Sequence, residues 1–301
     1  MLFRSPYTIP RDVVKVASVE GKVLEPGYGY IRLRSFQERT AKDLDKTLAS
    51  VRAQAGGTLH GLVLDLRDNP GGLLDQAVKV ADRWVPDGVI VQTKGRVDSQ
   101  QQEFKARSDG KEPDYPLVLL VNAGSASASE IVAGALQDHG RALLIGTQTF
   151  GKGSVQTVYP LEDGSGLRLT TALYYTPSGH SIQEVGITPD IAVENPPPPL
   201  PSSGAREEET SKPLRVRDLE GHFSHGVAEP GSDDAAPPSP PKNDDAEPAA
   251  ETPAPAGQDL QLARGIEVLK SWTYFERLRK AQKPPEAPVA SVPPPASASH
   301  P

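Results

Sequence analysis

The sequence predicts an α/β fold with a largely parallel sheet, and its composition predicts a long C-terminal segment outside the packed core. Between residues 28 and 146, short apolar runs typical of buried strands alternate with amphipathic stretches typical of helices. Strand, helix and strand in repetition favour parallel pairing, because each helix returns the chain to the same end of the sheet. After residue 195 the composition changes to proline, serine, alanine and acidic residues, which bury too little apolar surface to offset chain entropy.

The first half of the predicted core contains two strands and two helices. Residues 28–33 alternate large apolar and polar side chains, as in a half-buried strand. Residues 40–55 predict a helix that Thr40 can cap and that two glycines end. The apolar run at 61–66 predicts a strand buried on both faces, and a loop rich in glycine leads from it to a helix that ends before Pro86.

The second half of the core adds further strands, one helix, a loop and a hairpin. Apolar and amphipathic runs predict strands at residues 89–93, 117–121 and 142–145 and a helix at residues 127–139. The long polar stretch at residues 95–114 predicts an exposed loop or lid. Two β-branched and aliphatic runs flank the turn sequence at residues 163–166 and predict a hairpin, after which the core ends near residue 193.

Composition and charge argue against several classes of function. The net charge is −7 and there is no block of lysine and arginine, so we expect binding neither to nucleic acid nor to an anionic membrane surface. The chain has no cysteine, which excludes disulfides, thiolate metal sites and cysteine nucleophiles. No apolar run reaches the length of a signal peptide or a membrane span, and no histidines have metal-ligand spacing. We therefore expect no metal and no other cofactor.

One serine and one lysine could together form a hydrolytic site. Ser127 opens the predicted helix at residues 127–139, and Lys152 follows 25 residues later between two glycines. A serine hydroxyl needs an adjacent base to act as a nucleophile, and a lysine amine shielded from water can be that base. Gln156 can accept a hydrogen from this amine without adding a charge that would favour its protonated form. The pattern predicts acyl transfer by a Ser-Lys pair.

These residues also have structural interpretations. Ser125 and Ser129 are hydroxyls within two residues of Ser127, and any of the three could cap the helix. A lysine between two glycines is commonly a solvated loop residue. His139 follows an aspartate, but it lies about three helical turns beyond Ser127, where a histidine commonly caps a helix, so we assign it no catalytic role.

Backbone amides near the nucleophile could hold the negative charge of a tetrahedral intermediate. The first turn of a helix leaves its amides without partners, so the amide of Ala128 is a candidate donor. Gly71 and Gly72 follow a buried strand at the edge where parallel sheets gather their ligands. A glycine there lets a bare amide approach a reacting carbonyl. We expect Asp65 and Asp68 to fix this loop rather than to transfer protons.

Five motifs in this order resemble the C-terminal processing (tail-specific) serine peptidases. The resemblance covers roughly residues 13–193, and its motifs lie at residues 28–32, 64–72, 124–138, 149–156 and 186–191. It implies a peptidase core of the crotonase/ClpP-like shape, with flanking helices and a β-hairpin region. It also implies that Ser127 is the nucleophile, Lys152 the general base and Gln156 the residue that orients the amine. The resemblance assigns the second oxyanion donor to the glycine pair, within which we favour Gly72 over Gly71.

The same resemblance gives expectations about organisation and partners. Members of the family carry an export signal, a helical segment and a PDZ domain before the core, and here only residues 7–16 resemble the last PDZ strand. We predict a PDZ remnant at 1–18, the catalytic domain at 19–195, a disordered segment at 196–258, an amphipathic helix at 259–281 and a disordered tail at 282–301. The resemblance implies protein or peptide substrates with apolar C-termini and a periplasmic or cell-envelope location. It leaves open a regulatory adaptor or a homo-oligomer.

Two other functions fit parts of the sequence. A non-catalytic binding or scaffold protein could keep the same fold, and an acyl-CoA hydratase of the related crotonase-like shape could share its architecture. Neither requires a serine, a lysine and a glutamine at these three positions. The joint presence of Ser127, Lys152 and Gln156 therefore favours the peptidase.

Overall fold

A computed structural model describes residues 16–97, 100–107, 111–196, 214–219 and 258–282. The described residues form ten strands, namely β1 (Val19–Glu25), β2 (Tyr28–Leu33), β3 (Gly61–Asp65), β4 (Val89–Gly95), β5 (Gln102–Lys105), β6 (Leu117–Val121), β7 (Leu143–Gly146), β8 (Ser154–Pro160), β9 (Gly166–Tyr175) and β10 (Ile191–Ala192). Their helices are α1 (Thr40–Gln54), α2 (Leu74–Ala81), α3 (Ala128–Asp138) and α4 (Leu260–Gln282). The predicted PDZ strand and the predicted C-terminal tail lie, except for one residue each, outside the described residues.

A six-stranded sheet has the strand order β1-β2-β3-β6-β7-β10. All neighbours in it are parallel except β1, which pairs antiparallel with β2. Every residue of β3 and β6 is buried, as their continuous apolar runs predict. The largely parallel sheet is therefore confirmed. Because β3 and β6 are parallel neighbours, the loops that follow their carboxyl ends lie side by side.

A second, antiparallel sheet has the strand order β5-β4-β9-β8. Strands β8 and β9 are the predicted hairpin. Two expectations were wrong: β4 belongs to this sheet rather than to the parallel one, and β5 lies inside the stretch 95–114 predicted as a loop or lid. Strand β5 is short, polar and mostly exposed, so its pairing depends on backbone hydrogen bonds that leave no apolar pattern in the sequence.

The six-stranded sheet is covered on both faces. Alternate residues of a strand point to opposite faces, so Leu62 and Leu64 of β3 join the cluster formed with α1, α2 and α3, whereas Val63 joins a second cluster. This second cluster contains Leu269 of α4, which is 1% exposed. The C-terminal helix therefore completes the core on the face opposite the other three helices.

Helix α4 corresponds to the predicted helix at 259–281, but only part of its apolar side is buried. The Asp259 carboxylate accepts the amide of Leu262 at 3.0 Å and so caps the helix. The large side chains of Trp272 and Phe275 are 57% and 67% exposed. The apolar cluster beneath α4 contains residues of this helix only up to Leu269. None of the described helices is long and apolar enough to cross a membrane.

A short ordered turn interrupts the segment predicted as disordered. Residues 214–219 contain a 3₁₀ turn, Val216–Asp218, in which the Val216 side chain is buried. The amide of Val216 donates to the carbonyl of Phe150 at 3.1 Å. The average composition of the whole segment gives no indication of this short turn with its buried valine. The remaining residues of the predicted segment, apart from residues 196 and 258, lie outside the described part of the chain.

The docking of α4 predicts the effect of one core substitution. We expect Leu269→Ala to lower the free energy of unfolding by about 2–5 kcal/mol, because it removes buried methyl groups and leaves a cavity. Urea denaturation followed by circular dichroism measures the change. The control is Leu278→Ala in the same helix, where the side chain is 41% exposed and the expected change is within about 0.5 kcal/mol. Equal effects of the two substitutions would contradict the docking at Leu269.

Candidate active site

A pocket of about 410 Å³ lies where the loops after β3 and β6 meet the start of β8. Its lining residues are Pro70, Gly71, Gly72, Ser127, Lys152, Ser154, Gln156 and Tyr174. The structure thus brings the serine, the lysine, the glutamine and the glycine pair singled out in the sequence to one place. Among the described residues, no cluster of three or more histidine or carboxylate side chains could hold a metal ion.

Ser127 has a strained backbone conformation at the start of α3. Its φ is 56° and its ψ is −112°, a region that residues with a Cβ seldom adopt. The strain is held by neighbouring hydrogen bonds: the Ser127 amide donates to Glu130 Oε2 at 2.8 Å, and the Ala126 amide donates to the carbonyl of Asn69 at 2.9 Å. Such enforced strain is characteristic of functional positions.

The two rival serines have structural roles. Ser125 Oγ donates to the carbonyl of Leu66 at 2.8 Å, and Ser129 Oγ donates to the carbonyl of Asn69 at 2.9 Å. Both side chains are fully buried, and both bonds join the loop after β3 to the start of α3. Ser127 is half-buried and is the one of the three that lines the pocket.

The two glycines of the loop after β3 differ in what their amides do. The Gly71 amide donates to Asn69 Oδ1 at 2.9 Å, so it is already engaged. The amides of Gly72 and Ala128 make no hydrogen bond to any described residue. Gly71 instead permits close approach, because a Cβ there would lie 2.7 Å from the carbonyl oxygen of Ala126. This arrangement favours Gly72 over Gly71 as an oxyanion donor.

The backbone around Lys152 is rigidly held. Four consecutive amides, from Phe150 to Gly153, each donate a hydrogen bond, with acceptors in Ser125, Glu130 and Gln183. A Cβ on Gly153 would lie 2.4 Å from the amide nitrogen of Gln183, so the loop needs glycine at that position. The loop therefore fixes the point from which the lysine side chain extends.

The Lys152 amine has no partner among the described residues, either as a hydrogen-bond donor or in an ion pair. The Lys152 side chain is half-buried. Gln156, four residues later on β8, is exposed. Phe150, two residues before Lys152, does not line the pocket. The aromatic residue that does is Tyr174, whose burial raises the pKa of its hydroxyl.

Glu130 is the site residue to which the sequence analysis gave no role. Its fully buried carboxylate accepts four hydrogen bonds: Oε2 accepts the amides of Ser127 at 2.8 Å and Lys152 at 2.9 Å, and Oε1 accepts Thr149 Oγ1 at 2.5 Å and the Gly151 amide at 2.7 Å. Burial raises the pKa of this carboxyl, and the four donors oppose the rise. The spacing Ser-x-x-Glu at residues 127–130 is the sequence signature of a helix capping box and accounts for the bond to the Ser127 amide. The bonds from residues 149–152 are long-range and leave no such signature.

Other candidate residues lie where the sequence analysis expected them. His139 ends α3, contacts the carbonyl of Val89 through Nε2 at 2.7 Å and does not line the pocket. Asp65 accepts the Arg67 amide at 2.9 Å, and Asp68 accepts Asn122 Nδ2 at 2.9 Å. Both carboxylates thereby hold loop residues in place.

Comparison with known proteins shows which family the chain belongs to. Residues 27–193, more than half of the chain, match the profile of peptidase family S41. The chain belongs to peptidase family S41. The pocket and every residue that lines it fall within this match.

Several family S41 relatives carry names that describe C-terminal processing. A carboxy-terminal-processing protease of Bartonella bacilliformis is 54% identical over 191 residues, which are 63% of this chain and 44% of that protein. A carboxyl-terminal-processing protease of Synechocystis sp. is 43% identical over 194 residues, with the same shares of 63% and 44%. The solved structure of a photosystem II D1 C-terminal processing protease has a TM-score of 0.54 and 37% identity, and the match covers 60% of this chain and 49% of that one. This chain thus spans less than half the length of each of these relatives.

The role of Glu130 can be tested by an isosteric change. We expect Glu130→Gln to slow the labelling of Ser127 by a fluorophosphonate probe at least about tenfold, because the amide has one acceptor oxygen where the carboxylate has two, so at least one buried donor loses its partner. Mass spectrometry measures the labelling rate, and circular dichroism confirms that the variant is folded.

Glu162→Gln serves as the matched control, since Glu162 is exposed in the hairpin turn. Its labelling rate should equal that of the wild type. A folded Glu130→Gln variant that is labelled at the wild-type rate would show that the carboxylate does not position the site.

Proposed function

We propose that this chain is a serine endopeptidase that cleaves proteins near their C-termini through an acyl-enzyme. The observation that carries the proposal is one pocket lined by Ser127, Lys152 and Gly72. The amides of Gly72 and of Ala128, the residue after Ser127, make no hydrogen bond to any described residue. Membership of peptidase family S41 and the names of the relatives support the same activity.

In the first step, the unprotonated amine of Lys152 takes the hydroxyl proton of Ser127, and the Ser127 oxygen attacks a peptide carbonyl. The carbonyl oxygen becomes negative, and the amides of Gly72 and Ala128 donate hydrogen bonds to it. Lys152 then gives its proton to the departing amine, so that the peptide C–N bond breaks. A water molecule activated by the same amine hydrolyses the acyl-enzyme and frees Ser127.

Two features of the pocket support these roles. Gln156 extends from β8 toward the same space as Lys152, where its side-chain oxygen could accept an amine hydrogen without adding charge. The long lysine side chain extends from a fixed backbone and lines the same pocket as Ser127, and the mechanism requires a rotamer that brings its amine to the Ser127 hydroxyl. Hydrogen bonds of catalytic groups are often completed only when substrate is bound.

Substrate and location are carried over from the resemblance to the C-terminal processing peptidases. We propose that the substrates are proteins or peptides with apolar C-termini, that the protein acts in the periplasm or cell envelope, and that it binds a regulatory adaptor or forms a homo-oligomer. The described residues contain no membrane-spanning helix.

One observation favours a second function. No hydrogen bond joins the Ser127 hydroxyl to the Lys152 amine, so the pocket could bind peptides without cutting them. Reaction with a fluorophosphonate separates the two functions, because covalent labelling of Ser127 requires an activated hydroxyl whereas peptide binding does not.

The proposed chemistry predicts the loss of activity in two single variants. We expect Ser127→Ala and Lys152→Ala each to lower cleavage of an unfolded protein with an apolar C-terminus by at least about 10²–10³-fold, since each removes a group that acts in the transition state. Product formation is measured by mass spectrometry, which also locates the cut. The matched controls are Ser50→Ala and Lys46→Ala on the exposed side of α1, which should cleave as the wild type does. Cleavage retained by either site variant would overturn the mechanism.

A further inference from the structure

Two segments that follow the residues matching family S41 contact the loops of the candidate site. The family match ends at residue 193, whereas α4 and the turn at 214–219 come later in the chain. Helix α4 reaches the loop after β3, which carries Gly72. The turn reaches the loop that carries Lys152. The family resemblance predicts neither contact.

The first contact is made by Arg67, the second residue after β3. A guanidinium has five N–H donors, and in Arg67 all of them are engaged: Nε and Nη2 donate to Asp65, Nη1 and Nη2 donate to the two oxygens of Asp259 at 2.7 Å each, and Nη1 also donates to Gln261 Oε1 at 3.1 Å. Arg67 and Gln261 are buried. The start of α4 therefore completes the hydrogen bonding of a buried cation.

The charge of Asp259 depends on the same contact. Partial burial opposes its ionisation, but the bonds from Arg67 and Leu262 outweigh this and lower the pKa of the carboxyl. Gln261 adds a second attachment, since its Nε2 donates to the carbonyl of Val193 at 2.8 Å. If α4 left this position, two donors of Arg67 would lose an ionised acceptor in a place that water reaches poorly.

The polypeptide leads directly from this contact to the oxyanion donor. Arg67 begins the loop that ends at Gly72, and the Arg67 carbonyl and Asp68 side chain are held in turn by Arg32 at 3.4 Å. Asn69 lies between Arg67 and Gly72 in this loop, and its side-chain oxygen accepts the Gly71 amide. We therefore expect a shift of Arg67 to move Gly72, because hydrogen bonds hold the few residues between them.

The second contact supports the loop that carries Lys152. Val216 donates its amide to the carbonyl of Phe150 at 3.1 Å, two residues before the lysine. Arg215 Nη1 donates to Gln148 Oε1 at 2.6 Å on the same loop. Both loops of the site are thus supported from outside the family core.

We propose that these segments brace the active site, and that Asp259 is a positioning residue whose ion pair with Arg67 holds the Gly72 amide for acylation of Ser127. The inference rests on the proposed peptidase function. It makes turnover depend on whether α4 is docked, so an event that displaces α4 would slow acylation while leaving substrate binding unchanged.

The test is Asp259→Asn in the complete chain. The asparagine keeps the shape but presents an amide group to the guanidinium, so we expect kcat for cleavage and the rate of fluorophosphonate labelling to fall about three- to tenfold, with KM within about twofold of the wild type. We also expect faster amide hydrogen exchange in a peptide that contains residues 67–72. The matched control is Glu267→Gln on the exposed side of α4, where the carboxylate pairs only with Arg264 among the described residues.

A second variant, Leu269→Ala, weakens the docking of α4 through its apolar contacts rather than through the Asp259–Arg67 ion pair. Measured where circular dichroism shows it folded, this variant should also have a lower kcat than the wild type. Suppose that the wild type cleaves, that Ser127→Ala does not, and that Asp259→Asn equals Glu267→Gln in kcat, labelling rate and amide hydrogen exchange. The positioning role of Asp259 is then overturned and the proposed function stands. If wild-type Ser127 is neither labelled nor needed for cleavage, the proposed function fails and the positioning role fails with it.

Discussion

The geometry of the site depends on one buried carboxylate. Glu130 accepts the amide of Ser127 through one oxygen and, through both oxygens, the amides of Gly151 and Lys152. A buried carboxylate is costly unless its oxygens are fully hydrogen-bonded, and here the bonds come from two separate loops. The cost of burying the charge is offset only when both loops are in place. Glu130 therefore couples the position of the backbone of Ser127, the proposed nucleophile, to that of the Lys152 backbone.

Parallel pairing of β3 and β6 brings the remaining parts of the site to this carboxylate. The loops after the two strands leave the same edge of the sheet, and Gly71 lets them approach so closely that a methyl group would collide with the backbone of Ala126. Buried hydroxyls of Ser125 and Ser129 then bond one loop to the other. The amides of Gly72 and Ala128 lie next to these bonded residues in the chain and make no hydrogen bond to any described residue.

Local patterns made much of this fold predictable. The buried strands β3 and β6, the helix after Ser127 and the hairpin each leave an apolar or turn signal within a few residues. The parts that escaped prediction depend on partners far away in sequence: Arg67 and Asp259 are 192 residues apart. An exposed strand such as β5 pairs through its backbone and needs no particular side chains. For α4, periodicity indicated a helix but could not show that the apolar cluster beneath it includes residues of this helix only up to Leu269.

The engagement of Glu130 also limits how its carboxylate can contact Lys152, the proposed base. The carboxylate lies beside the backbone of Lys152, and an ion pair with its amine would favour the protonated form. Both oxygens, however, are already occupied by amides and by the Thr149 hydroxyl, and no described ion pair includes Lys152. The same bonds that fix the lysine's backbone thus occupy the acceptor positions through which Glu130 could bind the amine directly. In the proposed mechanism, Gln156 orients that amine without adding a charge.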